Sequence, residues 1–414
     1  MTTPSLMLSE RSNYHHLVLD IGWFAIALAA TSRFMQFYAI RMGADAIALN
    51  LLTALPAIVL VFSTSLSIWW RSRYEDSVHA LSLPSLGYRF IFLLPAFAPF
   101  FPIEWRVLWL ILSAVLPALV QGMANTIFLV VMRETVSHEQ IPSLLARRQF
   151  ALNIMLLIGV FGFGFLLETL PFPINYQVMF VCAFIFGLVS QWHLTRLQSI
   201  VPPHKTKRVE KGAFKRLLKT DEFQSVVLVT MLSYVGYFSV FAVLPLFLER
   251  QLGADEGYVA LFGVFELIAG AGITLLLDPI LRRLGSRTTI AISMFITALA
   301  AVAIALAPTL NMALIGALLT GIGWNANNVG IFRFFTERTS ANDMSASTIF
   351  HQIIFLAMFI GPMLGNVIAM TGISLSGILL IGAILRVLAA IFTHFGLRLF
   401  GKRVVRPIAH VESA

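Results

Sequence analysis

Apolar residues in this chain gather into long unbroken runs, not into the two-residue alternation of half-buried strands. Twelve runs cover residues 17–40, 46–69, 87–103, 107–132, 149–170, 176–197, 223–248, 257–280, 289–308, 310–332, 346–370 and 374–396. A helix that crosses a bilayer needs about 20 mostly apolar residues, so each run is read as one crossing. Twelve crossings place both termini on the same side. The third run is the shortest and carries Pro95 and Pro99; losing it would swap the sides of everything downstream.

Charge tests that count. With the N-terminus taken as cytoplasmic, 24 of the 29 Lys and Arg fall in inside segments or at the inner ends of runs and only Arg41, Arg106 and Arg250 fall outside, with Arg33 and Arg386 deep within runs. Cytoplasmic loops concentrate basic residues, so the asymmetry supports twelve helices with both ends in the cytoplasm, in the plasma membrane. The longest polar stretch, 198–222, contains Pro202, Pro203 and seven Lys or Arg from Lys205 to Lys219. It divides the chain into a cytoplasmic segment 1–16, a bundle over 17–197, the basic linker 198–222, a second bundle over 223–397 and a cytoplasmic tail 398–414. Residues 1–16 have no apolar core of their own, so no removable signal peptide is expected and the first run directs insertion.

Composition agrees with this reading and narrows the chemistry. Apolar residues make up 58% and charged residues 12% of the chain, about half the charged share of a soluble domain, which excludes an ordinary soluble enzyme. The net charge of +9 is placed for lipid headgroups, and no nucleic-acid partner is expected. Cys182 is the only cysteine, so neither an intramolecular disulfide nor a thiolate metal cluster can form. The chain carries no phosphate-cradling glycine loop, no His-Glu-x-x-His and no Gly-x-Ser-x-Gly, which argues against nucleotide-driven pumping and against a membrane hydrolase. No metal or cofactor is expected.

A repeat runs through the chain. Leu86-Gly87-Tyr88-Arg89 answers Leu284-Gly285-Ser286-Arg287 at an offset of 198, Asn125 and Arg133 answer Asn325 and Arg333 at 200, and His193 with Arg196 answers His394 with Arg398 near 201. The shared offset, at corresponding ends of runs, points to two parallel copies of a six-helix unit.

With that architecture over residues 17–397, the chain resembles the major facilitator superfamily. Its best local match is Asp278-Pro-Ile-Leu-Arg282-Arg283-Leu-Gly285-Ser-Arg287, which looks like a stretched form of the family's loop between the second and third helices of each half. The resemblance implies an all-α membrane protein of two pseudo-symmetric six-helix bundles. It also implies a central cavity and a cytoplasmic gate in which Asp278, Arg282, Arg283, Gly285 and Arg287 latch the bundles. The fifth run reads Gly159-Val-Phe-Gly162-Phe-Gly164 and lacks the glycine-proline signature of the family's antiporters.

Ionisable groups at mid-membrane are costly and mark function by default. Arg33 and Glu266 lie about 24 Å and 21 Å of helix rise from the inner ends of the first and eighth runs. Their equal depth predicts a proton-coupling ion pair between the halves, with an interbundle latch as the structural alternative. Gln36, Gln121, Asn125, Asn153, Asn325, Asn328 and Gln352 are expected to line a hydrogen-bonding cavity, with Tyr234, Tyr237 and Trp324 clamping an apolar or ring-shaped solute. Each amide alone can equally tie helices together within a bundle. Pro56, Pro117, Pro245 and Pro362 permit bending within spans. The expected function is secondary transport of a small organic solute by alternating access, as proton-coupled efflux of an amphipathic compound. Alternatives are an uptake symporter for a polar solute and, of another class, a membrane enzyme or lipid scramblase. A monomer in the lipid bilayer is expected.

Overall fold

A computed structural model describes residues 3–137, 139–200, 219–339 and 344–396. Most of the basic linker, 201–218, and the tail from 397 lie outside the described residues. The first half comprises α1 (Leu8–Arg41), α2 (Ala46–Arg71), α3 (Ser77–Phe100), α4 (Ile103–Thr135), α5 (Ile141–Thr169) and α6 (Ile174–Thr195). The second comprises α7 (Asp221–Leu252), α8 and α9 (256–284 and 286–305), α10 (Leu310–Thr336), α11 (Met344–Ala369) and α12 (Leu375–Gly396).

Two of these assignments rest on geometry. The helix Glu256–Ala305 has 50 residues, about 75 Å of rise, more than twice the roughly 30 Å of bilayer hydrocarbon. It breaks at Gly285, whose φ of 77° and ψ of 160° are non-helical, and so makes two crossings. The helix α10 has the length of a crossing, and its four asparagines lower its hydropathy. Among the described residues this gives twelve helices long enough to cross a bilayer.

The third span departs from expectation. It begins at Ser77, ten residues before the apolar run, so Arg89, counted at the inner edge of that run, lies in the middle of the helix and is 3% exposed. A polar stretch can enter here because the bundle satisfies it. Arg89 donates to the Gly187 carbonyl, to Ser85 and to Ser190. Ahead of the first span the helix likewise reaches back to Thr3. Its polar turns dock on the basic end of the first half, where the Asn13 amide donates to the carbonyls of Thr135 at 2.9 Å and Gln198 at 2.7 Å.

Apolar packing shows how the halves meet. At the end opposite the termini one cluster takes Phe37, Tyr38, Tyr176 and Phe180 from the first half and Val243, Phe247, Tyr258 and Phe262 from the second. Toward the basic end there are two separate clusters, one around Leu81, Ile127, Val131 and Leu194 and the other around Phe223, Ile290, Phe334 and Ile349. The halves share one apolar core at the first end and none at the basic end, where α11 still touches α2. Contact between α5 and α8 depends on Gly164, where a Cβ would stand 2.4 Å from that of Ala260.

Candidate functional site

Arg33 and Glu266 meet where the joined region ends. Residues Ala30–Phe34 of α1 form one wide π-turn, a distortion that recurs at functional sites. Arg33 Nη1 donates to Glu266 Oε2 at 2.6 Å, with the side chains 21% and 13% exposed. Gly263 of α8 faces the Arg33 side chain, and a Cβ there would make an ordinary contact 3.5 Å from Arg33 Nε. That Nε is buried without a hydrogen-bond partner, so the guanidinium keeps a free donor beside the carboxylate.

A second cross-half lock lies at the opposite end and was not legible beforehand. Arg41 Nε and Nη2 donate to the two Glu256 oxygens at 2.9 and 3.0 Å. Tyr176 also donates to Glu256, at 3.2 Å, and its ring stacks on Tyr38 with centroids 4.4 Å apart. Beside them Asn50 donates to Asn366 at 2.8 Å and Arg250 to the Ala44 carbonyl at 3.2 Å. Arg41 carried only an outside-charge signal in the sequence, and Asn50 and Asn366 resemble any other amide within an apolar run.

The expected cavity residues fall into separate settings. Tyr237 stacks on Trp324 at 4.3 Å, Tyr234 meets Trp324 edge-on at 5.6 Å, and the Tyr234 hydroxyl donates to Asn328. These four form one aromatic and amide patch on α7 and α10. Asn325 donates within α10 to the Gly321 carbonyl at 3.0 Å, and its side chain packs on Gly270 of α8. Gln36 donates to Thr53 at 3.3 Å, and Gln149 donates to Asn153 at 3.0 Å. Gln121 is half-buried and Asn125 exposed on α4. Gln352 donates to Ser65 at 3.0 Å and to the Val61 carbonyl at 3.3 Å, keeping α11 against α2. Sequence reasoning passed over Asn327, which accepts from Ser233 at 2.7 Å and Ser293 at 3.3 Å and joins α7, α9 and α10.

The loop between α8 and α9 pairs within its own half in this conformation. Arg282 meets Asp278 at 2.8 Å, and Glu337 receives Arg333 at 3.0 Å and Ser286 at 2.6 Å. Arg287 donates to the carbonyls of Thr393, at 2.7 Å, and His394. Gly285 supplies the positive φ, and Arg283 is exposed. The first half repeats the pattern, with Arg71 donating to Ser77 at 2.7 Å and lying 3.7 Å from Glu134. Arg386 is buried and donates to the carbonyls of Gly236, Thr297 and Tyr237 at 2.7–3.1 Å, so it braces α12 against α7 and α9.

Among curated proteins none matches the sequence. Solved structures match in fold. A POT-family peptide transporter in an auto-inhibited form gives a TM-score of 0.72 at 14% identity, over 95% of this chain and 98% of its own. The Escherichia coli xylose transporter XylE, partially occluded and inward open, gives 0.68 at 15% identity over 93% and 97%. A bacterial homologue of the iron transporter ferroportin, inward facing, gives 0.70 at 14% over 95% and 100%. The sequence model of the Major Facilitator Superfamily matches residues 22–362 and again 226–411. Twelve crossings in two halves, joined by charge pairs at one end and matched across almost the whole chain, make this protein a member of the major facilitator superfamily of transporters.

Proposed function

We propose that the protein is a secondary carrier that exports a small amphipathic organic solute by alternating access, with protons as the coupling ion. The observation that carries this reading is the Arg33–Glu266 pair, 2.6 Å long and shared between the halves. A carboxylate held by a guanidinium favours its charged form. Separating the halves removes that partner, and an unpaired charge within the membrane is costly, so the charge carried by Glu266 and the position of the halves are linked. The aromatic patch of Tyr234, Tyr237 and Trp324 offers rings to an apolar body, and the neighbouring amides offer hydrogen bonds. The basic end faces the cytoplasm of the cell that bears the protein in its plasma membrane, following the distribution of Lys and Arg. The described conformation then opens inward, closed outside by Arg41–Glu256 and Asn50–Asn366. The test is solute flux in proteoliposomes under an imposed proton gradient, over a panel of amphipathic compounds. Flux that ignores the gradient for every compound rejects the coupling.

The outer lock makes its own prediction. In a Cys182→Ser background with Gln36→Cys as reporter, Arg41→Ala is expected to speed labelling by an impermeant maleimide from the outer side several-fold. An unchanged labelling rate would mean that the lock does not hold the outer end shut.

A further inference from the structure

The first half contains a pocket of about 190 Å³ between α1, α3, α4, α5 and α6, away from the Arg33–Glu266 pair. Its chemistry comes from Asp20, Ser85, Tyr88, Arg89, Asn125 and Arg148. Two guanidinium groups face one carboxylate, so the pocket holds one positive charge in excess. Arg89 is fully engaged by Gly187, Ser85 and Ser190 and lies 3.6 Å from Asp20. Asp20 accepts in turn from Ser190 at 2.7 Å.

The excess charge belongs to Arg148. Its Nη1 donates to the Leu17 carbonyl and lies 3.3 Å from Asp20. Its Nε and Nη2 make no hydrogen bond among the described residues, and the group sits 4.7 Å from the centre of the Phe128 ring. The residue is only 8% exposed. A buried cation without a full counter-charge is costly, and a guanidinium with free parallel donors suits a bidentate oxyanion. Asn125, on the same wall, is exposed and its amide makes no hydrogen bond among the described residues. The repeat sharpens the contrast. In the second half Asn325 is occupied by the Gly321 carbonyl, and Tyr234 and Trp324 pack between α7 and α10.

We infer that this pocket binds an oxyanion, the carboxylate or phosphate of a small molecule, through Arg148 and Asn125. The inference does not depend on Arg33 and Glu266, so binding and coupling fail separately. The test is calorimetric titration of the purified full chain in an uncharged detergent with sodium benzoate, with inorganic phosphate and with neutral benzamide. Saturable binding of benzoate or phosphate is expected, with none of benzamide. Benzoate preferred over phosphate assigns the group to a carboxylated solute, and the reverse order assigns it to a phosphate; either supports the site. Arg148→Gln is expected to weaken binding at least tenfold and Asn125→Leu several-fold, while Glu266→Gln leaves it unchanged. Asn125 is exposed, so its variant decides the matter even where Arg148→Gln fails to fold. Absence of saturable oxyanion binding, equal binding of benzamide, or parental affinity in Asn125→Leu overturns the inference.

Discussion

Replacing Glu266 by glutamine is expected to lower gradient-driven flux at least tenfold in proteoliposomes while the protein remains folded. Glutamine keeps an oxygen that can accept from Arg33 but cannot take up or release a proton, so the link between protonation and separation of the halves is lost. Exchange of solute without a gradient should survive better than net transport, because exchange returns the halves with solute bound. Arg33→Ala acts differently. It leaves a mostly buried carboxylate without its partner, a change that costs about 3–5 kcal/mol for a fully buried pair and less here because the two side chains are 21% and 13% exposed. Arg33→Ala should therefore lose thermal stability as well as flux, and Glu266→Gln added to it should recover stability without coupling. Gradient-driven flux that persists in Glu266→Gln would remove this residue from the mechanism.

Gly321→Ala is expected to be among the most damaging single-methyl changes. A Cβ there would stand 2.0 Å from the Glu266 carbonyl oxygen and 3.1 Å from its Cα. The obstacle is backbone, so no rotamer relieves it and α8 must move away from α10. Overpacking of this kind costs about 1–3 kcal/mol and at times more. The displacement acts on the residue that reaches Arg33, so flux should fall together with the unfolding temperature. Gly162→Ala provides the comparison, since nothing lies within 4 Å of its Cβ. Alanine is favoured in a helix over glycine by about 1 kcal/mol, so stability there should hold or rise. Thermal unfolding of the two purified variants, run beside flux, separates a packing effect from a general intolerance of glycine substitution.

The Arg33–Glu266 pair was legible because charges within apolar runs are few and their distance from a run's end follows from helix rise. Arg89 was misplaced for a related reason. The stretch from Ser77 to Leu86 is polar enough to read as a loop, which leaves Arg89 at the edge of its run, and only Ser190 and the Gly187 carbonyl, about a hundred residues away, show that it lies well within a span. Asp20 sits just inside the first run, where an acid passes for a headgroup contact until Arg89 and Arg148 converge on it. For the loop after α8, the motif was readable but its partners were not. Glu337 and the carbonyls of α12 complete it, and neither is near in sequence.

The sequence alone determined that the chain crosses a membrane many times and how basic charge is distributed between its apolar runs. These are one-dimensional consequences of the cost of exposing backbone to lipid and of moving charge across it. Only the tertiary structure decided which face of each helix turns inward. A helix with lipid on one side and apolar neighbours on the other shows no polar stripe to orient it. Asn325 and Asn328, three residues apart, therefore read alike, yet one bonds back into its own helix and packs on Gly270 of α8 while the other meets Tyr234 of α7. The joined end, with Arg41 on Glu256, and the charged pocket around Arg148 likewise exist only once distant helices are packed.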